Sequence, residues 1–455
     1  MAKLCRLVQL NDRFNSQVFT FTLPGKITRE FTPDTYAKEF VYGFQKWVVS
    51  FIRSERHIGA FLRLQTAAKD TTCGLDFTFT ALNREHFTRN ESIPFKGSQF
   101  TFHEHTHGRK NFMEMDDIVH RKFLQDNGDI LIELEMRKIN CLYENHMKMI
   151  KEGQSRHGYG DRLETTYFSF GLFDWSISLF PDVTSTEADG SVAVQLQRHT
   201  SFDHMCNVKY RVILGDDASF DSGELTQMLD ASGFGDPFTV GASISRLSRG
   251  KSSLKVKVEM MSVVSVSEVP LPVSNNSKGR AHCYDRDKQA WMLETDTSGK
   301  FLSFRLYYTD ISHVPRRFCR YVVWDLSIVC GNKVVKVGEG PYSKYYIQQD
   351  LDEGFFMRTN IAIDELSDPD NEFIDLNDKK LTIYIQWIQS HLLVFPNYNN
   401  LDDVTRLHKH QMGREIMALQ AENYALEKQL YSYQQSIAKT NSLKTRQNSD
   451  PLLRH

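Results

Sequence analysis

The sequence predicts a mainly β protein, with tandem antiparallel β-sandwiches followed by an α-helical coiled coil. Three observations carry that prediction. A tryptophan frame (Trp, any residue, aliphatic, Ser, large apolar) occurs three times, as W-V-V-S-F from Trp47, W-S-I-S-L from Trp175 and W-D-L-S-I from Trp324. A second alternating run follows each frame, over Ile130–Met136, Leu254–Met260 and Leu381–Trp387. Residues 401–440 then lose almost all glycine and proline and place apolar residues at heptad spacing.

Successive side chains of a strand point to opposite faces, so apolar residues two apart mark a half-buried strand. A shared frame says more than alternation. From Trp to the end of the run is 89 residues in the first copy and 85 in the second, which argues for repeats. The third spacing, 63 residues, reads as a shortened copy. Length agrees, since 455 residues suffice for about three domains. Aromatic residues make up 12% of the chain and favour pleated surfaces. Further strand-like pieces, such as Ala60–Leu64 and Leu75–Thr80, are separated by turn residues, the layout of a sandwich. Two stretches read as connectors. Residues 140–162 contain a helix-like run from Tyr143 to Glu152 and a glycine-rich end, and residues 265–298 contain Pro270, Pro272 and a polar N-N-S-K-G-R.

The first repeat resembles the MATH domain of the TRAF family (meprin and TRAF homology). The resemblance rests on Trp47 and its strand, G-S-Q-F-T-F at 97–102, H-G-R-K-N-F at 107–112 and the close F-L-Q-D-N-G-D-I-L-I-E-L-E-M at 123–136. The third repeat closes similarly, with F-I-D-L-N-D-K-K-L-T-I-Y-I at 373–385. It implies MATH-like sandwiches over 14–139, 163–264 (degenerate) and 299–392 (shortened). The family's fold is an eight-stranded antiparallel sandwich that holds a short extended peptide against exposed strand edges. The matching groove positions are Phe100, Phe102, His107 and Arg109. Family members often carry aromatic residues where this chain has His107 and Arg109. Arg109 would favour an acidic or phosphorylated segment.

A competing motif overlaps that groove. His103-Glu104-His105-Thr106-His107 matches H-E-x-x-H, the zinc-peptidase pattern in which a helix puts both imidazoles on one face and Glu acts as base. Here the motif follows an alternating run and precedes Gly108, so a strand or hairpin tip is expected instead. If extended, His103, His105 and His107 would share one face. The alternative function, a zinc-dependent hydrolase, depends on this segment. No P-loop, G-x-S-x-G or G-x-G-x-x-G motif is present. We therefore expect no catalytic residues, no metal and no cofactor.

In the C-terminal segment Ile416, Asn423, Leu430 and Ile437 fall at heptad position a, and Met412, Leu419, Leu426 and Tyr433 at d. Ile416, Leu419, Asn423, Leu426 and Leu430 form the expected oligomerisation seam. A lone Asn at a favours a register-locked parallel dimer at some cost in stability. The flanking positions, among them Glu415, Glu422 and Glu427, carry little opposite charge, so a homodimer is not electrostatically favoured and a heterodimer with a basic partner helix is also expected. TRAF proteins also join a MATH domain to a coiled coil and trimerise, but there the coiled coil comes first. The tail 441–455 reads as disordered.

Net charge is -2, which gives no sign of nucleic-acid binding. No run approaches the roughly 18 apolar residues that span a bilayer, and the N-terminus lacks a signal-peptide core. Seven cysteines without a CxxC pair read as reduced thiols in a cytoplasmic or nuclear protein. The expectation is a non-enzymatic intracellular adaptor or scaffold. It would bind partner segments through the first repeat, with the other two as spacers, and oligomerise through the helix. A purely structural assembly component is the remaining alternative.

Overall fold

The computed structural model describes residues 1–10, 15–30, 35–148, 162–181, 191–200, 204–273, 278–331, 333–366, 368, 373–375, 379–394 and 401–448. Two units are distinguished. One holds residues 1–7 and 17–396, the other residues 8–16 and 397–455.

The first unit is mainly β, with several antiparallel sheets. Its spine is three long strands, Ile130–Lys148, Ser253–Pro272 and Lys380–Val394, hydrogen-bonded side by side in that order. Each is used in two halves. Residues 130–136 of the first pair with Gln17–Leu23, while residues 141–148 pair with 253–260 of the second. The second then turns its residues 265–272 to 380–387 of the third. On their other flank the long strands pair with Thr71–Ala81, Met205–Leu214 and Phe318–Cys330, and each of these ladders has a register break near its middle.

The breaks explain the sequence pattern. In the first long strand Ile130, Ile132, Leu134 and Met136 are buried, then Cys141, Tyr143 and Met147. In the second, Leu254, Val256, Val258 and Met260 are buried, then Val263, Val266, Val269 and Leu271. In the first strand the buried set moves from even to odd numbers because one extra residue at a bulge shifts the alternation; in the second the strict even-numbered run ends at Met260, at its own bulge.

Three smaller antiparallel sheets accompany the spine. The first runs Thr35–Tyr36, Gln45–Arg53, His57–Leu64 and Thr106–Glu114, with Phe40–Tyr42 alongside. The second runs Leu163–Glu164, Phe173–Pro181, Val192–Arg198 and Phe238–Val240, with Phe168–Phe170 alongside. The third runs Lys278–Tyr284, Ala290–Asp296, Phe301–Tyr308 and Phe355–Ala362. After the last strand of each comes a short helix (Met115–His120, Ile244–Ser248, Ile363–Leu366) and then the long strand, preceded in the third by the two-residue strand Ile374–Asp375. The same order of elements thus occurs three times.

Ring contacts join the sheets. Trp47 of the first small sheet meets Phe100 of the large sheet edge-on at 4.9 Å, and Phe40 lies 4.7 Å from Phe19. Tyr143, in the second half of the first long strand, stacks on Phe168 of the second small sheet at 4.3 Å. The third long strand reaches back to the first repeat, with the His391 ring 6.2 Å from that of Phe19.

Several expectations are corrected. Trp47 and Trp175 hold the same place, each donating its indole N–H to the carbonyl five residues earlier, Tyr42 at 3.0 Å and Phe170 at 2.9 Å. Trp324 does not. It sits on Phe318–Cys330 in the large sheet, and the second strand of the third small sheet carries Trp291 instead. From Trp291 to Trp387 is 96 residues, so the third repeat is not short. Neither connector is one over its described part. Residues 140–148 continue a strand, with no helix from Tyr143, and 265–272, 278–284 and 290–296 are all strand. Residues 149–161 and 274–277 lie outside the described residues.

The second unit contains one helix, Leu401–Asn448, which continues past residue 440 where disorder was expected. Residues 449–455 lie outside the described residues. Among the described residues no helix is long and apolar enough to cross a membrane.

Burial, reinforced by the nearby Arg286 and Arg320, lowers the His391 imidazole to about 4. The unfolded chain takes up that proton first, near 6.5. Stability is therefore full above pH 6.5 and falls as pH drops towards 4, by about 3 kcal/mol from this one group. Chemical denaturation at pH 7 and pH 4.5 should show a smaller loss for His391→Gln than for the wild type. An equal loss would remove His391 as the cause.

Candidate functional site

The predicted groove residues lie where two sheet edges come together. Thr106–Glu114 is the last strand of its sheet, paired on one side with His57–Leu64. Glu91–Phe100 is an outer strand of the large sheet, paired with Thr71–Ala81. Among the described residues no strand pairs their outer edges. The two are joined by a turn in which Thr101 N–H donates to Glu104 O at 3.0 Å and Glu104 N–H donates to Thr101 Oγ1 at 3.1 Å.

The two edges differ in what they can accept. Glu91–Phe100 contains Pro94, which has no N–H to donate, and a bulge at Gly97. Gly97 has φ +60° and gives its N–H to Asp76 at 2.7 Å. Proline and bulges are the usual devices that block strand addition. Thr106–Glu114 has no proline. Its close fit depends on Gly108, where a Cβ would lie 2.2 Å from the Ala60 carbonyl oxygen.

The four predicted residues separate. Phe100 is fully buried against Trp47 and His107, so it is a core residue and not a groove wall. The strand ends at Phe100, and the turn takes Phe102 out of the alternation that the sequence suggested. Phe102 is 54% exposed. His107 is half-buried, with Nε2 2.8 Å from the Gln99 carbonyl oxygen, and so links the two edges. Arg109 is exposed, opposite Ala60 on the open-edged strand. Phe102 and Arg109 are thus available to a ligand, while Phe100 and His107 support the edge from behind.

The H-E-x-x-H segment does not form the helix its chemistry needs. Residues 103–105 lie in the turn and Thr106 starts a strand. The turn also breaks the extended face that three histidines would share. Among the described residues no three His, Cys, Asp or Glu side chains are grouped to hold a metal ion.

A polar cleft of about 190 Å³ lies at the other end of the same edge, and the sequence reading missed it. Arg121 spans it, 2.7 Å from Glu91 and 3.1 Å from Asp117. Its hydrogen bonds to Asp117 and Glu91 raise the guanidinium pKa above its ordinary value. These charges are already paired and fix the short helix Met115–His120 to the edge strand. A sequence signal existed in the i,i+4 pair Asp117–Arg121, but the second partner, Glu91, stands thirty residues before Arg121 on a separate strand.

On the C-terminal helix Ile416, Leu419, Leu426 and Leu430 are 54–59% exposed, and Asn423 is exposed among them. The heptad residues Met412, Tyr433 and Ile437 are exposed as well. Side chains at 415 and 418 lie outside the described set.

Comparison of the chain with models of protein families and with curated proteins gives no match.

Gly108→Ala should destabilise the first repeat by about 1–3 kcal/mol, because backbone leaves the new methyl no space. A denaturation midpoint unchanged from the wild type would show that the edge strand can shift aside.

Proposed function

We propose that this chain is a non-enzymatic adaptor that captures extended segments of partner proteins on the first repeat and oligomerises through its C-terminal helix. One observation carries the reading. The proline-free strand Thr106–Glu114 has an open edge, with exposed Arg109 on it and exposed Phe102 beside it. An extended segment added there would gain main-chain hydrogen bonds from the edge, and side-chain contacts would select it. Arg109 selects an acidic or phosphorylated residue, since guanidinium–carboxylate and guanidinium–phosphate bonds are charge-assisted.

Each repeat reads as an antiparallel sandwich of MATH type. Support comes from the pairing of a small sheet with part of the large one and from the Trp47–Phe100 and Phe19–Phe40 ring contacts between them. The second repeat offers only a three-residue edge, Phe238–Val240, which suits a spacer. The third keeps eight residues, Phe355–Ala362.

The helix reads as a coiled coil because an apolar seam of three to four heptads is exposed. Burying it would supply association energy that the helix lacks alone. Asn423 in the seam favours a parallel register with a second copy, while the acidic flanks keep a basic partner helix open. Joined copies raise apparent affinity by effective concentration, so weak single grooves suffice.

Binding is tested on the full chain, because a fragment ending near residue 142 would cut the first long strand at its shared half. Against an acidic extended peptide, Arg109→Glu should weaken binding by about tenfold or more, and Phe102→Ala by less. Titration calorimetry reads both, and equal affinity for wild type and both variants rejects the groove. Leu426→Asp with Leu430→Asp should reduce the molecule to a monomer in light scattering, with the groove's intrinsic affinity unchanged. An unaltered mass would reject the seam.

A further inference from the structure

The seven cysteines are all buried thiols, but two of them differ from the others whose contacts are known. Cys5 gives its S–H to the Thr20 carbonyl at 3.2 Å, and Cys206 accepts from the Arg198 guanidinium at 3.1 Å. Cys73 and Cys141 instead face each other. They are direct partners on adjacent antiparallel strands, Thr71–Ala81 and Ile130–Lys148, with their sulfurs 3.3 Å apart.

That juxtaposition fits a covalent bond. Directly opposed residues of an antiparallel pair have Cα atoms about 4.5 or 5.5 Å apart, depending on whether they exchange hydrogen bonds. Both values lie inside the range of about 4.4–6.8 Å that a disulfide spans. The sulfurs need to close by roughly 1 Å to reach bonding distance, which small side-chain rotations supply without moving a strand.

The location gives the bond a consequence. Cys141 is the residue at which the first long strand, past its register break, joins the ladder to the second repeat, opposite Met260. Cys73 is near the start of its strand in the first repeat. A bond between them fastens the first repeat to the half-strand used by the second.

We propose that Cys73 and Cys141 are a modification site, forming a disulfide when the protein meets a peroxide or a low-molecular-weight disulfide. With hydrogen peroxide, one thiol, reacting as its thiolate, takes an oxygen to become a sulfenic acid, and the departing hydroxide takes up the thiol's proton and leaves as water. The second thiol attacks that sulfur, the S–S bond forms and a second water departs, so two thiols and one peroxide give one disulfide and two waters. With a low-molecular-weight disulfide, two exchange steps release two small thiols. The hydrogen bond with Cys141, and then burial, push the Cys73 thiol well above its ordinary range, so the reaction is slow. Closing a loop of this length restricts the unfolded chain and raises stability.

The test uses the folded full-length chain, treated with hydrogen peroxide or oxidised glutathione. Remaining thiols are then blocked with N-ethylmaleimide under denaturing conditions and the chain is digested without reductant. Mass spectrometry should recover the Cys73 and Cys141 peptides as one linked species lighter by two hydrogen atoms. The oxidised chain should melt higher than the reduced chain, and dithiothreitol should reverse the shift. In Cys141→Ser both the linked species and the shift should vanish. If Cys73 and Cys141 in the wild type are both maleimide-labelled, or linked only to other thiols, the proposal is overturned. This readout needs no variant to fold.

Discussion

The constraint on which the rest depends is the division of the first two long strands between neighbouring repeats. A strand's backbone must satisfy hydrogen bonds on both edges, and a long strand offers more edge than one repeat can fill. Here the first halves complete one repeat and the second halves begin the next. Residues 141–148 with 253–260, and 265–272 with 380–387, are therefore ladders between repeats as much as within them. The repeats are joined by continuous sheet and not by linkers, so cutting between them would expose a strand edge as well as apolar surface.

The register breaks make that division workable. A strand that kept strict alternation through two environments would present the wrong face to one of them. The extra residue between Arg137 and Asn140 lets the first strand bury Met136 and then Cys141 and Tyr143. Expected repeat boundaries near 139 and 264 fall at these breaks, where pattern-reading sees a change of phase. The change is real, but it is a bulge inside a strand and not the end of one. His391 marks the last of these shared regions, where the third strand's second half lies near Phe19 and burial keeps the imidazole neutral.

The open edge of the first repeat follows from the same economy of pairing. Thr106–Glu114 has a partner on one side only, and Gly108 allows that partner's backbone to come close. Its neighbour Glu91–Phe100 is protected by Pro94 and the Gly97 bulge. Of the two edges only that of Thr106–Glu114 therefore keeps its full set of main-chain donors and acceptors. Phe100 illustrates what alternation alone confuses. It and Phe102 are two residues apart, yet the turn at Thr101 puts the first in the core and the second in solvent.

The sequence by itself determined the strand character of the long runs, the core places of Trp47 and Trp175, and the uninterrupted C-terminal helix with its apolar seam. These follow from period and residue type, which are local. It misled at Trp324, because any inward Trp on an alternating strand produces the same frame. The true counterpart, Trp291, stands in W-M-L-E-T, where Glu294 replaces the expected Ser. Glu294 is buried beneath Lys278 and Arg280, 3.1 and 2.7 Å away, so a charged residue occupies a place that patterning assigns to a small one. Only the tertiary structure decided which strands pair, which edges stay open, and that Cys73 faces Cys141. Alternation fixes which face of a strand is buried, but its hydrogen-bonding partners are chosen by residues tens of positions away.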